Sequence, residues 1–245
     1  MSFAHACDFA SQATLKMSDW ILIFTTLFLG AIALFVPYLS EILKRKYFAP
    51  ELLIEFDHAP PDCHITRNKF KDDFGNILSD EPIYYFRFRV INKGKSQARR
   101  CEAVVEKLSV ADASGKFVQY RRYTSVSLIW GSSYGEFVDI NPERRFYCDL
   151  FNIPVKLHQE IYLKKNICVN PPESVDFDLG IILNVKAAFY SQPNRLPPGK
   201  YKVDTAVYSE NCKTVRGSFE ITWSGNWKDT EENMFKEIVV DFNGG

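Results

Sequence analysis

From Trp20 to Ser40 the chain reads WILIFTTLFLGAIALFVPYLS, with no charged side chain between Asp19 and Glu41. A bilayer core about 30 Å thick, crossed at about 1.5 Å per helical residue, asks for about 20 apolar residues. The pattern predicts a transmembrane helix over residues 20–40. A short tail, 1–19, precedes it, and a basic juxtamembrane segment, 41–50, follows with Lys44, Arg45 and Lys46. Trp20 and Tyr38 suit the two headgroup layers, and Pro37 is expected in the last turn. Two other readings compete. A cleaved signal would use Lys16, the core Ile21–Gly30 and the site Ala31-Ile32-Ala33, but it would leave a hydrophobic stub after Ala33. A buried core helix would carry a polar face, and Thr25 and Thr26 are the polar side chains between Trp20 and Leu39.

After residue 50 the period changes from helical to two. Tyr84, Phe86, Phe88 and Val90 alternate with Tyr85, Arg87 and Arg89 across Pro82–Asn92, the pattern of a half-buried antiparallel strand. Tyr201, Val203, Thr205 and Val207 alternate in Lys200–Tyr208, and Phe219, Ile221 and Trp223 in Arg216–Trp223. Further strands are predicted at Glu51–Phe56, Cys101–Val110, Phe117–Tyr123, Val126–Trp130, Glu136–Ile140, Arg145–Phe151, Val155–Leu163 and Phe177–Ala188. Residues 65–81 are mostly polar and are expected to form a turn or long hairpin tip around Asp72–Asn76. One helix is expected in this part, Thr230–Lys236. Many short strands separated by turn residues predict a β-sandwich. The expected fold class is therefore mainly β: an N-terminal single transmembrane helix followed by an elaborated immunoglobulin-like β-sandwich over 51–245.

Twenty Phe and 12 Tyr, with 46% hydrophobic residues, exclude a disordered chain. Charge is balanced at 30 basic against 30 acidic residues. Residues 1–46 hold four basic and three acidic side chains, which leaves 26 and 27 for the rest. No basic footprint for nucleic acid results. Three cations after the apolar run against Lys16 and the amino terminus before it favour a cytoplasmic C-terminal domain. The six cysteines, Cys7, Cys63, Cys101, Cys148, Cys168 and Cys212, include no CxxC pair. Scattered in this way they read as buried thiols of a reducing compartment.

The stretch FRFRVINKGKSQARRCEAVVEKL (Phe86–Leu108) resembles the strand–turn–strand pattern R-x-x-V-x-N-x-G-x-x-x-A-x-x-C of bacterial and archaeal immunoglobulin-like modules. LPPGKYKVDTAVYS resembles their late P-x-G-x-Y-x-V strand. The tail ITWSGNW, a short acidic helix and EIVVDF are similar to the end of uncharacterised bacterial and archaeal single-pass membrane proteins with such a domain. The likeness covers about a third of the chain. It implies a sandwich and carries over no catalytic residue.

Candidate chemistry is sparse. Asp57–His64 holds two His, one Cys and two Asp in eight residues, all metal-ligand types. His58, Cys63 and His64 are the candidate ligands, and a tethered metal-dependent hydrolase would use this loop. Trp130, Tyr134, Trp223 and Trp227 are the candidate binding aromatics. Trp130 and Trp223 run into Gly or Ser, where a ligand can approach the backbone. His5 and His158 stand alone. No nucleophile elbow, P-loop or HExxH motif is present, so no cofactor is implied. The arginine pairs Arg99-Arg100, Arg121-Arg122 and Arg144-Arg145 are expected on outer faces. The expected partners are the lipid bilayer, through Trp20–Ser40, and a protein, and the expected function is a membrane-anchored, non-enzymatic binding module. An extracytoplasmic adhesion or envelope scaffold is the alternative if the topology is reversed.

Overall fold

A computed structural model describes residues 17–71, 74–120, 123–131, 135–170, 178–186 and 193–244. The chain divides into two units, one ending at Phe48 and the other beginning at Ala49.

The first unit contains α1, Met17–Tyr47. It is long and apolar enough to cross a membrane. Its hydroxyls are satisfied within the helix: Thr25 Oγ1 donates to the Ile21 carbonyl (2.8 Å) and Thr26 Oγ1 to that of Leu22 (2.7 Å). The helix continues through the basic segment to Tyr47. Pro37 is therefore interior, not in the last turn as its position in the apolar run implies.

In the second unit the strands follow the alternation. β1 (Leu52–Glu55), β2 (Cys63–Lys71), β3 (Ile77–Asn92), β4 (Ala98–Ala111) and β5 (Phe117–Gln119) come first. Then come β6 (Val126–Ser127), β7 (Ile129–Trp130), β8 (Val138–Ile140), β9 (Arg145–Pro154) and α2 (Lys156–Lys164). The remainder is β10 (Ile181–Leu183), β11 (Arg195–Leu196), β12 (Gly199–Tyr208), β13 (Val215–Trp223), α3 (Glu231–Glu237) and β14 (Ile238–Gly244). One antiparallel sheet has the order β1-β3-β9-β10-β11, with β2 on β3 and β7 on β9. The other has the order β14-β13-β12-β4-β5, with β6 and β8 on β4.

The two sheets share one core. Tyr84, Phe86, Phe88 and Val90 of β3 point inward and are fully buried. Phe86 stacks on Phe151 of β9, with ring centroids 4.4 Å apart. Phe219 of β13 meets Phe88 from the opposite sheet at 5.5 Å and Phe56 at 5.5 Å.

One segment extends its sequence reading and another departs from it. Residues 65–81 form most of a long hairpin, in which β2 pairs β3 from Cys63↔Phe86 to Lys71↔Ile77. One face of the hairpin packs on α2, where Phe70 meets His158 and Tyr162 and Asn68 donates to the Tyr162 hydroxyl, while the tip is exposed, and no apolar alternation announces it. Val155–Leu163, read as a strand, is helix α2. Its alternating Val155, Leu157, Ile161 and Leu163 imitate a strand, but the helix buries His158, Gln159 and Tyr162 instead. The Gln159 amide donates to the Pro154 and Gly180 carbonyls and accepts from Gly180 N–H, which docks α2 on the outside of the first sheet. Of the long strand expected at Phe177–Ala188, the described residues show Ile181–Leu183, between β9 and β11.

Register fixes which loops share an end. Leu52 lies opposite Asn92, Ala98 opposite Ile140, and Tyr208 opposite Glu102. The entry to β1 and the loops 93–97, 141–144 and 209–214 therefore gather at one end. The β2–β3 tip lies at the other.

Asn92 closes the entry end. It is fully buried, and its Oδ1 accepts from Glu51 N–H (3.1 Å) and Gly94 N–H (2.9 Å). Its Nδ2 donates to the Ser96 (2.7 Å) and Ile140 (2.8 Å) carbonyls. Lys93 N–H donates to the Glu51 carbonyl and Lys95 N–H to that of Ala49. Gly94 packs so closely that a Cβ there would lie 2.4 Å from the Ala49 oxygen.

Candidate functional site

The loop Asp57–His64 is folded by its own backbone. Ala59 N–H donates to the Asp57 carbonyl, and Asp62 and Cys63 N–H both donate to the Ala59 carbonyl. Prolines 60 and 61 are joined by a cis peptide bond. This turn carries Asp62 into the protein, where it is fully buried. Its Oδ2 accepts from Asp57 N–H (2.8 Å) and lies 3.1 Å from Arg89 Nη2. The same guanidinium reaches Asp57 (2.5 Å) and Glu55 (3.8 Å). Burial pushes the Asp62 carboxyl up, while the Asp57 amide and Arg89 work against that rise. Desolvation opposes the charge on Arg89, but its carboxylate partners outweigh it and hold its pKa above the ordinary value. One cation thus gathers three acids, a half-buried ion cluster that fastens the loop to β3. Sequence reading took Arg89 as an outer-face residue and missed this role. Nothing local marks it, because the acids lie 27–34 positions away.

The structure does not bring His58, Cys63 and His64 together. Cys63 and His64 are successive residues of β2 and face opposite sides of the sheet. Cys63 points into the core, its Sγ 3.7 Å from the Asp57 carbonyl, and burial pushes its thiol well up. A thiol kept protonated is a poor ligand and a poor nucleophile. His58 sits among aromatic rings, 5.1 Å from Phe235 and 6.1 Å from Phe86, and burial lowers its pKa. His64 stacks on Tyr85 at 6.0 Å, and burial and Arg87 both lower its pKa. Among the described residues no group of three or more His, Cys, Asp or Glu is placed to hold a metal ion.

The aromatic candidates are also separated. Trp130 and Trp223 are both buried. Trp130 packs on Phe146 at 6.4 Å in the half nearer the chain entry, and Trp223 sits at the far end of β13, opposite Gly199. Trp227 is half-buried against Tyr84, 5.0 Å away. Tyr134 lies outside the described residues. The close approach expected beside Trp130 is real but internal: a Cβ on Gly131 would lie 2.8 Å from a carboxylate oxygen of Asp149.

One nucleophile–base pair was not foreseen. Ser79 Oγ and His158 Nε2 lie 2.5 Å apart, both buried. His158 Nδ1 has no hydrogen-bond partner, and the ring is enclosed by Phe70 (5.3 Å) and Tyr162 (6.4 Å). A catalytic dyad needs an open face and a group that orients the base. This pair is buried and lacks the orienting group, so its geometry serves to join α2 to β3.

No family model, curated protein or solved structure matches this chain.

Proposed function

We propose that this chain is a membrane-anchored, non-enzymatic binding module. In this reading α1 spans the bilayer, and Ala49–Gly245 is an elaborated immunoglobulin-like sandwich on the cytoplasmic side, where Lys44, Arg45 and Lys46 favour it. One observation carries the binding reading. The β2–β3 hairpin outgrows the shared core and presents Phe74, Ile77 and Leu78 at 93%, 56% and 54% exposure. Large apolar side chains exposed together at a hairpin tip, on either face, are characteristic of an interaction site. The tip and the chain entry lie at opposite ends of β3, whose 16 residues span roughly 50 Å.

The test places a photo-crosslinking amino acid at Leu78 of the full chain in native membranes. A discrete protein adduct is expected, lost when Phe74 and Ile77 are changed to Ser, while the chain stays in the membrane pellet after alkaline extraction. Adducts to lipid alone, or none, would overturn the binding reading. Protease access to residues 50–245 in intact cells would overturn the cytoplasmic placement.

A further inference from the structure

We propose that the end of the β domain at which the chain enters is a binding face for anionic phospholipid headgroups. The inference rests on the reading of α1 as a membrane span and adds a lipid preference to it. Phe48–Glu51 separate α1 from β1, so Leu52 follows Tyr47 by no more than about 17 Å of chain. That short connection is not free. Loop 93–97 holds it through the Lys93 and Lys95 amides and the buried Asn92. The loops at this end are therefore the part of the domain that the chain joins most directly to α1.

The charge at this end suits an anionic surface. Lys93, Lys95, Arg99, Arg144 and Arg145 are all exposed. Arg144 and Arg145 belong to the same end because Asn92 N–H donates to the Arg144 carbonyl and Arg145 lies opposite Ile91. Among the described residues none of these five cations has a carboxylate within ion-pair distance. Arg100 is different, for it is taken up by Glu210 at 2.9 Å and by the Phe137 ring. Asp139 accepts from Arg100 N–H. Asp139, Glu51 and Glu143 are the exposed acids that remain against the five cations. In sequence the same end is preceded by Lys44, Arg45 and Lys46. A planar array of cations beside a bilayer attracts acidic lipid at roughly fivefold in affinity for each cation, and salt screens that attraction.

The experiment uses the full chain in neutral detergent micelles, titrated with phosphatidylglycerol or phosphatidylcholine, with bound lipid counted by native mass spectrometry. The wild-type chain should prefer phosphatidylglycerol by at least about tenfold, and 0.5 M salt should reduce the preference. K93Q/K95Q/R144Q/R145Q should lose most of it, whereas K44Q/R45Q/K46Q should keep a large part. Equal binding of the two lipids, or a preference lost only in the helix-flank variant, would overturn the headgroup face while leaving the span intact. A full chain that remains monodisperse in buffer without detergent would overturn the span, and the lipid face with it.

Discussion

Replacing Asn92 with Ala tests the closure of the entry end. The side chain is fully buried and makes four hydrogen bonds, at 3.1, 2.9, 2.7 and 2.8 Å. A hydrogen bond contributes about 1 kcal/mol net, and more is lost where the abandoned partner stays dry. Glu51, Gly94 and Ser96 lie near the surface, where water can replace the amide; the Ile140 carbonyl is buried. The expected loss is about 3 kcal/mol, a large part of the 5–15 kcal/mol typical of a domain. For a body of this size that lowers the melting temperature by roughly 6–12 °C. The assay is thermal unfolding of the full chain in detergent, followed by the fluorescence of the buried Trp130 and Trp223. Gly94→Ala provides the companion, because its Cβ would meet backbone atoms of Ala49, Pro50 and Glu51 at 2.4–2.5 Å. It should expose residues 49–51 to protease without disturbing the rest of the core. A loss below about 1 kcal/mol for Asn92→Ala, with residues 49–51 still protected, would refute the closure.

Three further outcomes are expected. Phe219→Ala removes a ring in contact with Phe56, Phe88 and Phe242 and should cost about 3–5 kcal/mol in denaturant titration; a cost under about 1 kcal/mol would mean the sheets do not share this core. Burial, offset in part by Arg87, pushes the Asp149 carboxyl up to about 6. Between the usual carboxylate range and about pH 6 the folded chain keeps a proton that the unfolded chain has released, so this residue makes stability fall as pH rises through that window. Asp149→Asn should therefore raise the denaturation midpoint at pH 7.5 and leave it unchanged at pH 4, and an equal shift at both would refute a titration origin. Of the described cysteines, Cys63, Cys101, Cys148 and Cys168 are buried and Cys212 is half-buried. Mass-mapped alkylation of the folded chain should modify Cys212 first among these five, and early labelling of Cys63 would contradict its inward placement.

The helix was legible because twenty-one residues without a charge leave few other readings, although its extension to Tyr47 was not: a basic last turn looks like a linker. Strands with one buried face were legible for the same reason, since Tyr84 to Val90 must choose between core and water. The length of the hairpin was hidden because the face that α2 covers, with Asn68, Phe70 and Ser79, mixes polar and apolar residues and shows no alternation. Helix α2 was misread because it buries polar His158 and Gln159, satisfied by partners up to 79 residues away that no local window contains. Separation along the chain, here 27–34 positions, also hid the Arg89 cluster. Trp130 and Trp223 were read as lining a surface from the small residues that follow them, yet their rings had more to gain from the core.

At the edge of the first sheet, the outer side of β2 has no neighbouring strand among the described residues, and Glu231 of α3 accepts the Ile65 amide there at 2.8 Å. Farther along, Arg67, Lys69 and Lys71 line the same rim. Where copies of a chain crowd together, a bare rim of amides would template end-on growth into fibrils. A carboxylate already occupying one outward amide, followed by the Arg67 and Lys69 cations that Asp80 pairs, makes a rim that a second strand would have to strip of its charged partners before pairing, so close approach of two copies need not become polymerisation.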